Sequence, residues 1–325
     1  MTSAGWAEDH PDIGPWPLRP FTEKWTHGFG TSPQQCWLGR GDDGTPVGGY
    51  LLQLPDKENT DTGRCTLIVS PDRRRAGTGR ALAAHSAEQA RLAGRMRLAA
   101  DVRDGSAGAA FAASLGAVSG IPEVSRRLIV DADLAARLAG LRALAEPRTT
   151  GYSLVSWTGR TPEKYLSGAV TLRNAMAERP RNAGDQPTVW DADRVRETEN
   201  VNAATGVRYQ TVVARHDATD ELVAWTELCV DPDAPEWAFQ LATVVLPEHR
   251  GHRLGLLVKI ENLALLSRAA PQVRRVTTGN ASSNEHMIAI NEQLGFQATS
   301  VYRRWELDLT RSAQLLRDRS LQVDS

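Results

Sequence analysis

Val245-Leu246-Pro247-Glu248-His249-Arg250-Gly251-His252-Arg253-Leu254-Gly255 has a counterpart 176 positions earlier, Val69-Ser70-Pro71-Asp72-Arg73-Arg74-Arg75-Ala76-Gly77-Thr78-Gly79. Each copy sits between a β-like run (238–245 or 65–69) and a helix-like run (254–266 or 79–92). A second matched element, Leu115-Gly116 or Leu294-Gly295, follows the last glycine by 36 and 39 residues. Two elements recurring in order at nearly constant spacing mark a duplication. The expected domains are 1–147 and 148–325, joined by a helix over 132–145 that Pro147 terminates.

The composition is compatible with this division. A length of 325 residues suits two domains of about 150 residues each, and 41% hydrophobic residues supply two ordinary cores. A net charge of -1 gives no electrostatic footprint for nucleic acid or an anionic membrane, so neither is an expected partner. Cys36, Cys65 and Cys229 fit neither a disulfide framework nor metal-ligand spacing. No cluster of His, Cys and carboxylate has metal spacing, and no metal is expected. Residues 1–20 carry acidic residues, a histidine and four prolines where a signal peptide needs an apolar run. No stretch reaches the roughly 18 to 20 apolar residues of a membrane span. These features predict a soluble cytoplasmic protein.

Hydrophobic periodicity predicts, in the first half after an irregular Pro-rich leader, strands at 36–38, 47–54, 65–69, 96–102 and 127–130 and helices at 79–92 and 107–114. In the second half it predicts strands at 152–157, 210–215, 223–230, 238–245, 273–278 and 301–309, with helices at 162–178, 190–203, 254–266 and 284–294. From Gly151 to Pro247 is 96 positions, but from Met1 to Pro71 only 70. The first half is therefore expected to lack about two helical segments ahead of its glycine loop.

A strand, glycine loop and helix present unpaired backbone amides at a helix N-terminus, where a pyrophosphate is the natural ligand. Glycine lets the backbone approach the phosphate closely, and Arg74 and Arg250 add a guanidinium. A P-loop NTPase would need Gly-Lys-Ser or Gly-Lys-Thr, which neither copy has. A dinucleotide-binding loop fits Gly77, Gly79 and Asp101, but its third glycine position is Leu82, and Arg253 replaces one glycine in the second copy.

Both halves resemble the GNAT superfamily of acyl-CoA-dependent N-acyltransferases. In the second half the resemblance rests on Pro247, Arg250, Gly251 and Gly255, followed by Asn280, Asn284, Met287, Asn291, Leu294, Gly295 and Phe296. The layout is similar to that of actinobacterial two-domain acetyltransferases, mycothiol synthase among them. The resemblance implies an α/β fold of two GNAT-like domains, each a splayed mixed β-sheet flanked by helices. It implies acetyl-CoA, or another acyl-CoA, as co-substrate. The pyrophosphate would lie on amides of Arg250, Gly251, His252, Arg253, Leu254 and Gly255, pantetheine along Thr243, Val244 and Val245, with further contacts from Asn280 and Asn284. In the first half Arg74, Gly77 and Gly79 are the corresponding residues. A backbone N-H near Val245 would stabilise the oxyanion. An attacking ammonium must lose its proton, and Glu227, on the preceding strand, is the candidate base. Gln240 and Thr243 are candidates to orient the acceptor.

The sequence departs from the family where a tyrosine often serves as general acid: Asn291 and Ala112 stand there. Asn291 is thus a catalytic candidate only as a hydrogen-bonding amide, and Asn284 is equally a helix cap. The first half also ends in Leu115-Gly116-Ala117, without the phenylalanine. The expected function is N-acetylation of a small-molecule amine in a ternary complex, catalysed by the second half, with the first a degenerate copy. The alternatives are a non-catalytic acyl-CoA-binding scaffold and a protein N-acetyltransferase.

Overall fold

A computed structural model describes residues 6, 8–11, 14, 32–311 and 322–324. Most of the Pro-rich leader falls outside the described residues. The chain forms two compact units, one of Met1–Glu123, Arg181–Gln186 and Ser300–Ser325, the other of Val124–Pro180 and Pro187–Thr299. The division read from the sequence, at 147/148, differs from this because the chain changes unit within a strand.

In unit 1 the order is β1 (Gln34–Arg40), β2 (Pro46–Gln53), β3 (Thr62–Val69), α1 (Thr78–Leu92), β4 (Arg97–Arg103), α2 (Ala107–Ser114) and the start of β5 (Val118–Ile129). Its sheet runs β12 (Gln322–Asp324), β1, β2, β3, β4, β11 (Gln297–Asp308). Leu52, Leu82, Ala87, Leu98 and Leu307 pack into one apolar cluster between sheet and helix α1. β3 and β4 are parallel but pair only at Thr62↔Arg97, Gly63↔Leu98 and Arg64↔Ala99. Beyond Arg64 the two strands separate.

Unit 2 takes the end of β5, then α3 (Leu134–Ala145), β6 (Tyr152–Thr158), α4 (Leu166–Ala175), α5 (Ala192–Ala204), β7 (Arg208–His216), β8 (Leu222–Val230), β9 (Trp237–Val245), α6 (Leu254–Ala269), β10 (Arg275–Ala281) and α7 (Glu285–Leu294). The sheet order is β5, β10, β9, β8, β7, β6. Helix α3, expected as a connector, packs Leu134 and Leu138 into the core with Ile260, Leu263 and Leu294 of α6 and α7. One cluster gathers Val212, Ala214, Leu254 and Val258, and another gathers Leu172, Val213, Trp225 and Val244. The sheet is thereby covered on both sides, which is why β7 to β9 read as near-continuous apolar runs.

β9 and β10 are also parallel, pairing only at Arg275↔Trp237, Val276↔Ala238 and Thr277↔Phe239. In this unit β9 also carries an irregularity in its pairing with β8. Thr226 pairs with Thr243 and Leu228 with Gln240, so Leu241 and Ala242 together face Glu227. A bulge of this kind bends its strand and increases the local twist. The corresponding register in unit 1, from Gly48↔Val69 to Gln53↔Arg64, has no such extra residue.

The Leu-Gly elements have a structural role in both units. Gly295 (φ 94) and Gly116 (φ 79) take the left-handed conformation at the ends of α7 and α2. The following N-H donates back into the helix, Phe296 to Asn291 O (2.9 Å) and Ala117 to Ala112 O (3.2 Å). This is a glycine C-cap, which any other residue adopts at a cost.

Helix α6 buries one of the four lysines of the chain: Lys259 is 1% exposed and its Nζ lies 5.5 Å from the Phe296 ring centroid. Burial lowers its pKa to about 7. The folded state therefore resists protonation that the unfolded chain accepts, and stability falls as pH drops from about 10 towards 7. Lys259→Met is expected to raise unfolding free energy at pH 7 by on the order of 2–4 kcal/mol, with the gain shrinking near pH 10. Denaturant titrations at the two pH values measure this, and an equal or negative effect at both would contradict it.

Candidate active site

The two glycine loops superpose in conformation residue by residue. Each begins with a 3-10 turn, Pro71–Arg73 or Pro247–His249, and continues through an extended Arg74 or Arg250. Each then has two left-handed residues, Arg75 (φ 63) and Gly77 (φ 89) in the first, Gly251 (φ 84) and Arg253 (φ 56) in the second. Glycine fills one such position per loop and arginine the other, in opposite order. The missing glycine of the second copy thus changes which residue bears the strain, about 1–2 kcal/mol, but not the path. No side chain caps α1 or α6, so the first amides of both helices remain available to an anion. Leu254 is buried at the start of α6.

Gly79 and Gly255 are inside the helices, where they set packing distance. A Cβ on Gly255 would lie 3.3 Å from Ile290 Cδ1 and 3.5 Å from Val245 Cγ2; one on Gly79 would lie 3.6 Å from Phe111 Cζ.

Arg74 and Arg250 are both engaged within the protein. Each donates Nε to the carbonyl ending the preceding strand, Val69 O or Val245 O, both at 3.3 Å. Arg74 then pairs with Glu8 (2.9 Å) and Asp9 (3.0 Å), and Arg250 with Glu178. The first half's front segment, though shorter, supplies the same clamp as the second's.

Past Phe239, β9 has no strand partner on its β10 side among the described residues, so the backbone of Gln240, Leu241, Ala242, Thr243, Val244 and Val245 presents a free edge there. Only Thr278 Oγ1 bridges the start of the gap, donating to Gln240 O at 3.1 Å. The side chains of Gln240 and Thr243 are committed inside the sheet. Gln240 Nε2 donates to Thr226 Oγ1 (2.9 Å) and Glu227 O (2.8 Å), and Thr226 and Thr243 share a 2.8 Å hydroxyl bond. They brace the bulge, and Gln240 Oε1 remains buried without a partner among the described residues.

Glu227 lies opposite that bulge. Thr211 Oγ1 donates to its Oε1 at 3.4 Å, and Arg173 Nη2 approaches the same oxygen at 3.7 Å. Burial raises its pKa above the usual carboxylate range; Arg173 and Thr211 partly oppose this, and Glu199 adds to it. Unit 1 has Leu51, 5% exposed, at the equivalent place and Gly49 where unit 2 has Trp225. The sequence reading did not mark Arg173, Trp190 or Trp225. The one signal within reach was this mismatch between the halves at offset 176.

Asn291 is fully buried on α7, with Nδ2 donating to Asn280 Oδ1 at 2.6 Å and Oδ1 lacking a partner among the described residues. Its donor is engaged, so it offers a ligand an acceptor oxygen. Asn284 caps α7 by accepting from Met287 N at 3.3 Å. His252 is exposed with Nδ1 3.3 Å from Arg148 O, while His249 Nδ1 meets Tyr152 OH at 2.9 Å. A cavity of about 360 Å³ lined by Val130, Leu266, Ala270 and Arg274 lies at the far end of α6 from the loop, away from these groups.

The sequence profile of the Acetyltransferase (GNAT) family matches residues 3–117. A tandem GNAT protein from the clavulanic acid biosynthesis pathway is 32% identical in sequence, over 94% of this chain and 92% of its own, with a TM-score of 0.78. A GCN5-related N-acetyltransferase from Sphaerobacter thermophilus shares the fold at 13% identity and a TM-score of 0.61, over 84% of this chain and 80% of its own. The glucosamine N-acetyltransferase region of a fungal multi-domain GH3 beta-N-acetylglucosaminidase does so at 16% identity and 0.62, over 94% of this chain and 36% of that one. No curated protein matches. The chain belongs to the GNAT family, as an acyltransferase built of two GNAT-like domains in tandem.

Proposed function

We propose that the second half transfers an acetyl group from acetyl-CoA directly to the amine of a small molecule. The observation that carries this is Glu227: a buried carboxylate beside a strand edge with unpaired amides, where the first half has Leu51. The fit to acetyl-CoA rests on the uncapped start of α6 for the pyrophosphate and the free edge of β9 for the pantetheine amides. An acceptor of low molecular mass is supported by the relative at 32% identity, which comes from a small-molecule biosynthetic pathway.

In this reading a β9 backbone N-H near Val245 donates to the developing oxyanion. The amine nitrogen bonds to the thioester carbon, its proton passes to Glu227, and the carbon-sulfur bond breaks to release the thiolate. An ordinary thiol pKa of about 8.5 lets the sulfur leave without an acid, which fits asparagine at the tyrosine position. Asn291 Oδ1 is placed to accept from a pantetheine amide. For the first half, a loop of the same shape with Leu51 beside it supports holding an acyl-CoA without turnover.

Glu227→Gln is expected to lower kcat/KM by about 10²–10⁴ while acetyl-CoA affinity is retained. The wild-type rate should rise with pH through a limb displaced upward from ordinary carboxylates, as burial of Glu227 dictates, and the variant should lack that limb. A variant with full activity and an unchanged pH profile would remove Glu227 as base. Calorimetric titration with acetyl-CoA supplies a second check. Gly255→Trp, wedging Ile290 and Val245 apart from α6, is expected to abolish the binding event that supports turnover, and Gly79→Trp to leave activity intact; the reverse pattern would assign catalysis to the first half.

A further inference from the structure

Arg173, on α4, is a buried cation with almost nothing to bind. Its side chain is 13% exposed, and its guanidinium carbon lies 4.8 Å from the ring centroids of both Trp190 and Trp225. Among the described residues it makes no hydrogen bond: Nε is buried without an acceptor, and its sole ion pair is the 3.7 Å approach to Glu227. Guanidinium groups at such burial ordinarily satisfy their edge with a carboxylate or carbonyl fork. The other charges in the neighbourhood are already matched. Arg196 holds Glu199 at 2.7 Å and Glu163 at 2.7 Å.

The surroundings of Arg173 are built, not incidental. Trp190 lies outside regular structure just ahead of α5, yet Asn174 holds its backbone at two points, donating Nδ2 to Trp190 O (2.9 Å) and accepting from Trp190 N (2.8 Å). Asn174 adjoins Arg173 on the same helix, so one turn of α4 places both the cation and one of the indoles against it. Trp225 reaches it from the strand that also carries Glu227. Two aromatic rings favour the cation and shield it from water, while its remaining exposure leaves the outer nitrogens reachable.

Resting on the acyltransfer reading for Glu227, we infer that the acceptor is an amine bearing a carboxylate, which Arg173 binds through a charge-assisted fork while the amine meets Glu227. The spacing limits the class. The anchor and the base are 3.7 Å apart, so carboxylate and amine must be separated by few bonds, as in a 2-amino or 3-amino carboxylic acid. The pairing also serves the reaction. A bound carboxylate neutralises the cation that holds the Glu227 pKa down, and so makes Glu227 a stronger base once the acceptor is seated.

The test compares 2-amino and 3-amino carboxylic acids with the amines of identical skeleton lacking the carboxyl group, on the full chain with acetyl-CoA, following thiol release. The expected preference in kcat/KM for the amino acids is about 10- to 150-fold, the range of a hydrogen bond to a charged group. Arg173→Gln should remove that preference through KM, with Arg173→Lys retaining part of it, and should move the pH limb of Glu227 upward for the carboxyl-free amines as well. Emission of Trp190 and Trp225, titrated with the same acids without acetyl-CoA, should change in the wild type and not in Arg173→Gln. Should no amine be acetylated while that optical titration still depends on Arg173, the carboxylate site stands and the acyltransfer reading fails. Equal turnover of both series, a preference that survives in folded Arg173→Gln, or no optical response together with no preference each overturns the inference.

Discussion

A bulge in β9 sets the sheet of unit 2 apart from that of unit 1: Leu241 and Ala242 share a single partner position opposite Glu227. The ladder of β9 with β10 ends after three pairs. Past them the β9 backbone has no strand to bond on that side among the described residues. Unpaired backbone groups are costly when buried, so such an edge persists where a ligand or water completes it. Gln240, Thr226 and Thr243 hold the bulge in place with side-chain hydrogen bonds, while Gln240 Oε1 is buried without a partner among the described residues. Glu227, at the bulge, is brought beside that edge by the same register shift.

Unit 1 has the same divergence of β3 from β4 without the bulge and without a carboxylate. The two halves therefore share the strand, loop and helix scaffold and differ in the polar groups beside it. The loops express this division. Their backbones match at both left-handed positions although glycine and arginine are exchanged between them, so the loop path tolerates a sequence change that a search for two glycines rejects.

Much of the fold was legible in the sequence because its signals are local. The strands over 47–54, 65–69, 223–230 and 238–245, and the helices starting at the two loops, coincide with β2, β3, β8, β9, α1 and α6 to within a few residues. β5 was less legible. It spans Val118–Ile129, but Gly120, Pro122, Glu123, Ser125 and Arg126 break any alternation, and only its last residues carried an apolar pattern. The change of unit at Val124 and the return of Ser300–Ser325 to unit 1 depend on pairings distant in sequence, which no local pattern encodes. At the candidate site, the loop followed from spacing, and Glu227 entered as a candidate through the family resemblance. Arg173 did not, since its significance arises from two tryptophans 17 and 52 positions away. The intramolecular partners of Gln240 and the capping contact of Asn284 are visible only in the structure, because a sequence shows a polar side chain but not what it bonds.

The free edge of β9 is the feature on which the functional account depends, and hydrogen exchange of the backbone amides with and without acetyl-CoA reports on it directly. The account predicts slowed exchange on adding acetyl-CoA in peptides covering Gln240 to Gly255, at the bulged edge and the start of α6. Protection confined to the first loop and its strand, Cys65 to Gly79, or none in either half, would contradict it.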